Sequence, residues 1–296
     1  MLWPRIKPAR LRLLLLGCAY CLSFLNISVT SAQEVNANPV HWAYSAYFGT
    51  GWYSVEGDRE VFVLRMTPRW SYRDSALDEN GKRTIGFHFK FPITVGLDRL
   101  EFLDPIDAID VDNVSSLSVN PGIDIEIPVT DRWKLRPFAS IGYGSILDGS
   151  GSAWSYWGGI KSQFAMRPAG KMNWSLINSI GYVGYTPDEG PSDQFWPLMA
   201  GFEFDYPLGE PTDGDQLMLY WHATYTTLEN NLDFLDEPDI GRQITDQWEA
   251  GVAIGKRDSR LKIWFLRFDR LGLGYRQSSN GDLKGITFLF RSLFEN

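Results

Sequence analysis

From residue 83 to residue 98 the chain alternates without a break. Ile85, Phe87, Phe89, Phe91, Ile93, Val95 and Leu97 are large and apolar; Thr84, Gly86, His88, Lys90, Pro92, Thr94 and Gly96 between them are not. A period of two predicts an extended strand with one greasy face and one polar or crowded face. The same pattern recurs along the chain. Strands are predicted at 41–54, 60–73, 83–97, 114–128, 132–145, 152–165, 172–184, 194–207, 215–228, 243–256, 260–277 and 283–295. In the fourth, Ile123, Ile125 and Ile127 oppose Asp124 and Glu126; in the last, Ile286, Phe288, Phe290 and Phe294 oppose Thr287 and Arg291. Two places fit badly. Asn178 falls on the apolar face of the seventh strand, and the phase slips between Phe268 and Leu271, where a β-bulge would restore it.

Twelve strands are an even number, as in single-chain outer-membrane barrels, and the connections alternate with them. The turns at 74–82, 130–132, 167–171, 207–215 and 256–260 belong to one end; the loops at 98–113, 146–151, 185–193, 229–242 and 278–282 belong to the other. The two longest connections fall at the same end. The polar face carries Gly, Ser and Thr with scattered charges, which suits a narrow wet lumen better than a water-covered surface. The apolar face has aromatics near strand ends, such as Trp133 with Tyr143 and Trp196 with Tyr206, as an interfacial girdle requires. The fold expected is all-β: a 12-stranded antiparallel transmembrane β-barrel, with a soluble exported β-barrel as the competing reading.

The start of the chain supports export. Arg5, Lys7, Arg10 and Arg12 precede the apolar stretch LRLLLLGCAYCLSFL and the small polar run SVTSA, the layout of a signal peptide cleaved near Ala32. The apolar run is short of the roughly 20 residues that a spanning helix needs. The expected organisation is a signal peptide at 1–32, a short segment at 33–40 and the barrel at 41–296. Both cysteines, Cys18 and Cys21, lie in the leader, so the remaining 264 residues have no disulfide to hold them. Without the four basic residues of the leader, 24 basic residues face 36 acidic ones, a charge of −12 that speaks against a nucleic-acid partner. The same 264 residues hold 40 aromatics, in keeping with girdles at two interfaces.

Twelve strands, the segment NPGIDIEIPVTDRWKLRPFASIGYG, and DRLGLGYR followed by KGITFLFRSLF together resemble the translocator domain of autotransporters, specifically the solitary autotransporter-like outer-membrane barrels. The resemblance covers most of the chain after the leader. It implies insertion into the outer membrane of a Gram-negative bacterium by the barrel assembly machinery. Two features depart from the family. Only QEVNANPV precedes the first strand, too short for a passenger, and Phe294 is followed by Glu295 and Asn296, so the terminal aromatic is offset.

Candidate chemistry is sparse. The histidines are His41, His88 and His222; the last two fall on the lumen face, with no second ligand at metal-binding spacing. No serine stands beside a histidine in sequence, so catalytic, cofactor and metal residues are all read as none. The lumen-lining charges predicted are Arg65, Arg69, Lys90, Asp124, Glu126, Lys134, Arg136, Lys161, Glu203, Asp205, Glu249 and Arg291. Mixed signs can brace a closed barrel or line a water path. The acidic loops around 98–112 and 229–239 are candidates for divalent cations beside lipopolysaccharide. The expectation is a non-enzymatic outer-membrane barrel acting as a narrow channel or a structural and interaction protein. The alternative is an outer-membrane hydrolase whose site is assembled in space.

Overall fold

The structure is a computed structural model that describes residues 45–55, 59–77, 81, 83–98, 114–147, 151–188, 192–210, 215–233, 243–257, 261–263 and 266–295. The leader, the segment 33–40 and His41 lie outside the described residues, as does most of both acidic loops.

A helical turn α1 (Ser45–Phe48) comes first. It is followed by β1 (Gly51–Val55), β2 (Arg59–Met66), β3 (Arg69–Arg73), β4 (Ala76–Leu77), β5 (Arg83–Thr84), β6 (Gly86–Lys90), β7 (Ile93–Asp98), β8 (Val114–Val119) and β9 (Gly122–Pro128). Then come the long strands β10 (Trp133–Ile146), β11 (Ser152–Ala165), β12 (Asn173–Pro187), β13 (Asp193–Pro207), β14 (Leu217–Asp233) and β15 (Gln243–Lys256). The chain closes with β16 (Leu261–Ile263), β17 (Leu266–Phe268), β18 (Arg270–Ser278) and β19 (Leu283–Leu289).

Three predicted strands are each interrupted at a proline: Pro68 between β2 and β3, Pro92 between β6 and β7, Pro121 between β8 and β9. Proline has no N–H to give the ladder, so a strand containing it bends there. The three carbonyls still accept across to the next stave, Phe91 N to Pro68 O at 3.0 Å, Asn120 N to Pro92 O at 2.9 Å and Ile141 N to Pro121 O at 3.1 Å. The bends therefore line up, and each broken pair counts as one stave. The staves number twelve. Every pairing is antiparallel, and β19 pairs with β1 (Gly51 opposite Thr287), which closes the barrel. The connections divide as the sequence predicts: short turns at one end, here the turn end, and the loops at the other, the loop end.

The alternation of 83–98 is realised as far as Gly96; Leu97, on the apolar parity, is buried at 4% exposure where the register against β8 shifts. Gly86, His88, Pro92, Thr94 and Gly96 are buried, while Ile85 and Phe91 are exposed. The same holds elsewhere: Ile141, Leu198 and Leu273 stand 56%, 54% and 52% exposed on the outer surface. Aromatics gather outside near both ends. Tyr143 lies 5.2 Å from Trp154 and Tyr182 4.7 Å from Trp196 toward the loop end; Phe204 stacks on Trp221 at 3.8 Å toward the turn end. The buried polar set, including Ser116, Ser118, Thr226, Gln247 and Thr287, points inward.

Three expectations are corrected. Within the predicted first strand, Ser45–Phe48 is helical and Gly49, at φ 83°, turns the chain into β1, which starts at Gly51. The phase slip near Asp269 is not a bulge: β16 and β17 form a separate hairpin, and the stave starts afresh at Arg270. The last strand stops at Leu289, and Phe294 is buried at 2% exposure inside the barrel instead of lying on its apolar outer face. Asn178 lies on the outward face where the alternation places it, paired with Ser162 and Ala200 on its two neighbours. Because β1 is short, β3 pairs only with β6 among the described residues, and Arg291 Nη2 donates to Thr67 O at 2.6 Å beside that edge.

Candidate functional site

The lumen is the only interior the twelve staves enclose, and its contents fall into three layers. At the loop end the filling is apolar. Tyr53, Val63, Ala153, Val183, Tyr185, Phe195, Leu228, Ile244 and Leu283 point inward and are buried around Phe48 of α1. Tyr47 packs edge-on against Phe195 at 5.2 Å and Trp157 at 6.0 Å. Two donors hold the end of α1: Tyr53 Oη reaches Phe48 O at 2.6 Å and Arg276 Nη1 reaches it at 3.3 Å. Thr50 then ties the segment to the wall, its hydroxyl donating to Arg65 O and accepting from Arg65 N, both at 3.0 Å.

The middle and turn-end layers are charged. Arg136, only 1% exposed, pairs with Glu126 and lies 3.6 Å from Glu295 Oε1; it also donates to Phe294 O at 2.8 Å. Glu126 is further held by Lys134 Nζ at 3.0 Å and Ser75 Oγ at 2.5 Å. Lys90 pairs with Asp124 at 2.5 Å and Arg69 with Glu295 at 3.2 Å. On the facing wall Glu203 accepts from Arg270 at 3.0 Å and from the backbone N–H of Leu293 at 3.0 Å. Glu249 accepts from Arg276 Nη2 at 2.6 Å, and His222 Nε2 lies 3.0 Å from its other oxygen. Residues 290–295 thus turn back from β19 into the lumen and are gripped from both walls.

The placement of the predicted charges follows from this. Lys90, Asp124, Glu126, Arg136, Lys161, Glu203 and Glu249 are buried or nearly so inside the barrel, and Arg65 and Arg69 are partly buried there. Lys161 Nζ lies 5.7 Å from the centre of the Phe138 ring. Asp205 accepts from Asn173 at 2.7 Å near the turn end, Lys134 is half exposed there, and Arg291 holds Thr67. Sequence reasoning missed Arg270 and Arg276, although Leu271, Leu273 and Tyr275 set a parity that turns both inward. It also missed Tyr47, Phe48 and Glu295, whose roles depend on segments leaving the wall.

Two side-chain contacts bear on catalysis. Ser71 Oγ lies 2.9 Å from His88 Nδ1, a serine–histidine contact made by the pairing of β3 with β6. Asp74 approaches that same nitrogen at 4.0 Å, so no acid braces the far side of the ring as a nucleophile–base relay requires. His222 is braced, but its glutamate is shared with Arg276. Among the described residues no three His, Asp or Glu side chains are grouped to hold a metal ion. At the loop-end rim, hydrogen bonds from Ser152 and Tyr143 hold the Asp188 carboxyl below its ordinary value, the second at 2.7 Å.

No family model matches the chain, and no curated protein matches it in sequence. Solved structures do. The β domain of the Bordetella autotransporter BrkA aligns over 80% of this chain and 92% of its own at 9% identity, with a TM-score of 0.50. The translocator domain of the autotransporter NalP from Neisseria meningitidis aligns over 80% and 82% at 11% identity, with a TM-score of 0.49. LpxR from Salmonella typhimurium aligns over 79% and 91% at 12% identity, with a TM-score of 0.40. At these identities the likeness concerns architecture alone: the chain has the 12-stranded barrel fold found in an autotransporter β domain.

Proposed function

We propose that the protein is a non-enzymatic barrel of the Gram-negative outer membrane, exported by the leader at 1–32, whose lumen is shut by its own chain, so that it serves as a structural and interaction protein or opens as a narrow channel only when those segments leave. The outward face of Ile, Leu, Trp and Tyr supports the membrane setting, as does closure of the wall through β1 and β19, which leaves the short β3 as the edge among the described residues. The observation that carries the reading is the double closure: α1 and its aromatic neighbours at the loop end, residues 290–295 at the turn end. Between them lie cavities of about 30 and 20 Å³, room for a few waters and not a pore. Lipid, lipopolysaccharide and the barrel assembly machinery are the partners this reading implies, with divalent cations at the acidic loops.

The test is fractionation followed by gels of boiled and unboiled protein, then conductance in planar bilayers. An outer-membrane band with heat-shifted mobility and little conductance is expected, rising when residues 290–296 are deleted together with Tyr47→Ala and Phe48→Ala. A soluble protein without the shift overturns the membrane setting; a large steady conductance of the intact chain overturns the plug. The Ser71–His88 contact is what favours the hydrolase alternative. Labelling of Ser71 by a fluorophosphonate, lost in Ser71→Ala, would establish it.

A further inference from the structure

The charges inside the barrel do not balance locally. On the β13–β18 side, Arg270 and Arg276 each meet a carboxylate. Across the lumen, the cavity of about 30 Å³ is lined by Arg65, Lys90 and Arg136 near one acid, Asp124, with the Lys161 amine beside the Phe138 ring. Asp124 is taken by Lys90, and Arg136 is taken by Glu126 and Glu295. Among the described residues no carboxylate pairs with Arg65. Its guanidinium lies 5.3 Å from the centre of the Trp157 ring, and its Nε is buried with no hydrogen-bond partner; Arg136 Nε is in the same position. A cation without a carboxylate partner in such a place is costly, because burial strips part of its hydration.

We propose that this mid-lumen cavity binds one small inorganic anion of halide size, with Arg65 as its principal partner and Lys90 beside it on the positive wall. The class of ligand follows from size and charge. A space for about two waters admits a monatomic anion and excludes sulfate or phosphate with their hydration. Trp157 and Phe138 close the apolar side, which favours a weakly hydrated ion. Asn120, also at the cavity, gives its amide N–H to Ser155 at 2.5 Å and leaves its oxygen unpaired; the reversed amide would present N–H to the ion and still bond the hydroxyl. The site stands whether or not the barrel conducts.

The probes are sodium chloride and sodium bromide against sodium gluconate at equal ionic strength, with the full chain in detergent. The thermal midpoint should rise with either halide and saturate, and stay flat in gluconate; Arg65→Gln should remove the halide response while keeping the heat-dependent gel mobility. Equal shifts in all three salts, or none, overturn the site. If Arg65→Gln does not fold, bromide-soaked crystals of the unaltered protein decide. Anomalous signal between Arg65 and Lys90 supports the proposal, and its absence from that cavity at saturating bromide refutes it.

Discussion

The guanidinium of Arg136 lies 4.2 Å from the centre of the Phe294 ring and donates to the carbonyl of the same residue at 2.8 Å. The two residues are 158 positions apart, and one is on a stave while the other is in a segment that has left the wall. This contact fixes where the tail sits. Phe294→Ala removes the ring, the cation–π contact and the packing under it. A loss of about 3 kcal/mol in unfolding free energy is expected, together with increased conductance once Tyr47→Ala and Phe48→Ala have opened the loop end. Urea titration in lipid vesicles gives the first and planar bilayers the second.

Arg136 also neutralises Glu126 in a buried setting. Arg136→Met alone leaves the glutamate to Lys134 and Ser75 and should cost about 3 kcal/mol. Arg136→Met with Glu126→Leu should cost less than the two single changes summed, since the pair is exchanged for apolar contacts. A double-mutant cycle on unfolding free energy measures that coupling, and additivity would show the pair to be energetically idle.

At the other end, Tyr47→Ala with Phe48→Ala, made in the chain already lacking residues 290–296, empties the aromatic cluster around Phe195 and Trp157. The staves keep their pairing, so heat-dependent gel mobility should persist while small solutes gain entry. Liposome swelling by sugars of graded size reads this directly, and an unchanged rate would mean that α1 does not block the lumen.

Leu198 decides what surrounds the barrel. It is 54% exposed near the middle of β13. If the outer face meets hydrocarbon, Leu198→Arg should cost about 2–4 kcal/mol and impair insertion into vesicles. In water the same change would fall within about 0.5 kcal/mol of zero. Refolding yield into lipid separates the two.

Asp188 ties β10 and β11 to the end of β12, and its carboxyl sits below the ordinary value of 3.8 because Ser152 and Tyr143 donate to it. A carboxyl depressed in the folded state stabilises above its unfolded value and loses that contribution as pH falls through the folded value. Tyr143→Phe should therefore destabilise at neutral pH, and the difference from the parent chain should vanish in strong acid. Paired pH titrations of thermal stability follow it.

The sequence alone determined the wall. The alternation of 152–165 and 243–256 matches β11 and β15 residue for residue, and the parity of 83–98 names which side chains are inside. A period of two is a local property of extended backbone, so it survives without knowledge of neighbours. Tertiary structure decided the filling. Residues 45–48 and 290–295 are patterned like wall strands, yet both turn inward. The aromatic pocket beneath Tyr47 and the cations that grip Phe294 and Glu295 exist only once staves distant in sequence have closed around them. The partners of Arg136, Glu203 and Glu249 are set in the same way. Closure brings together charges that no local pattern relates, and a crowded, poorly hydrated lumen requires nearly every one of them to find a counter-charge.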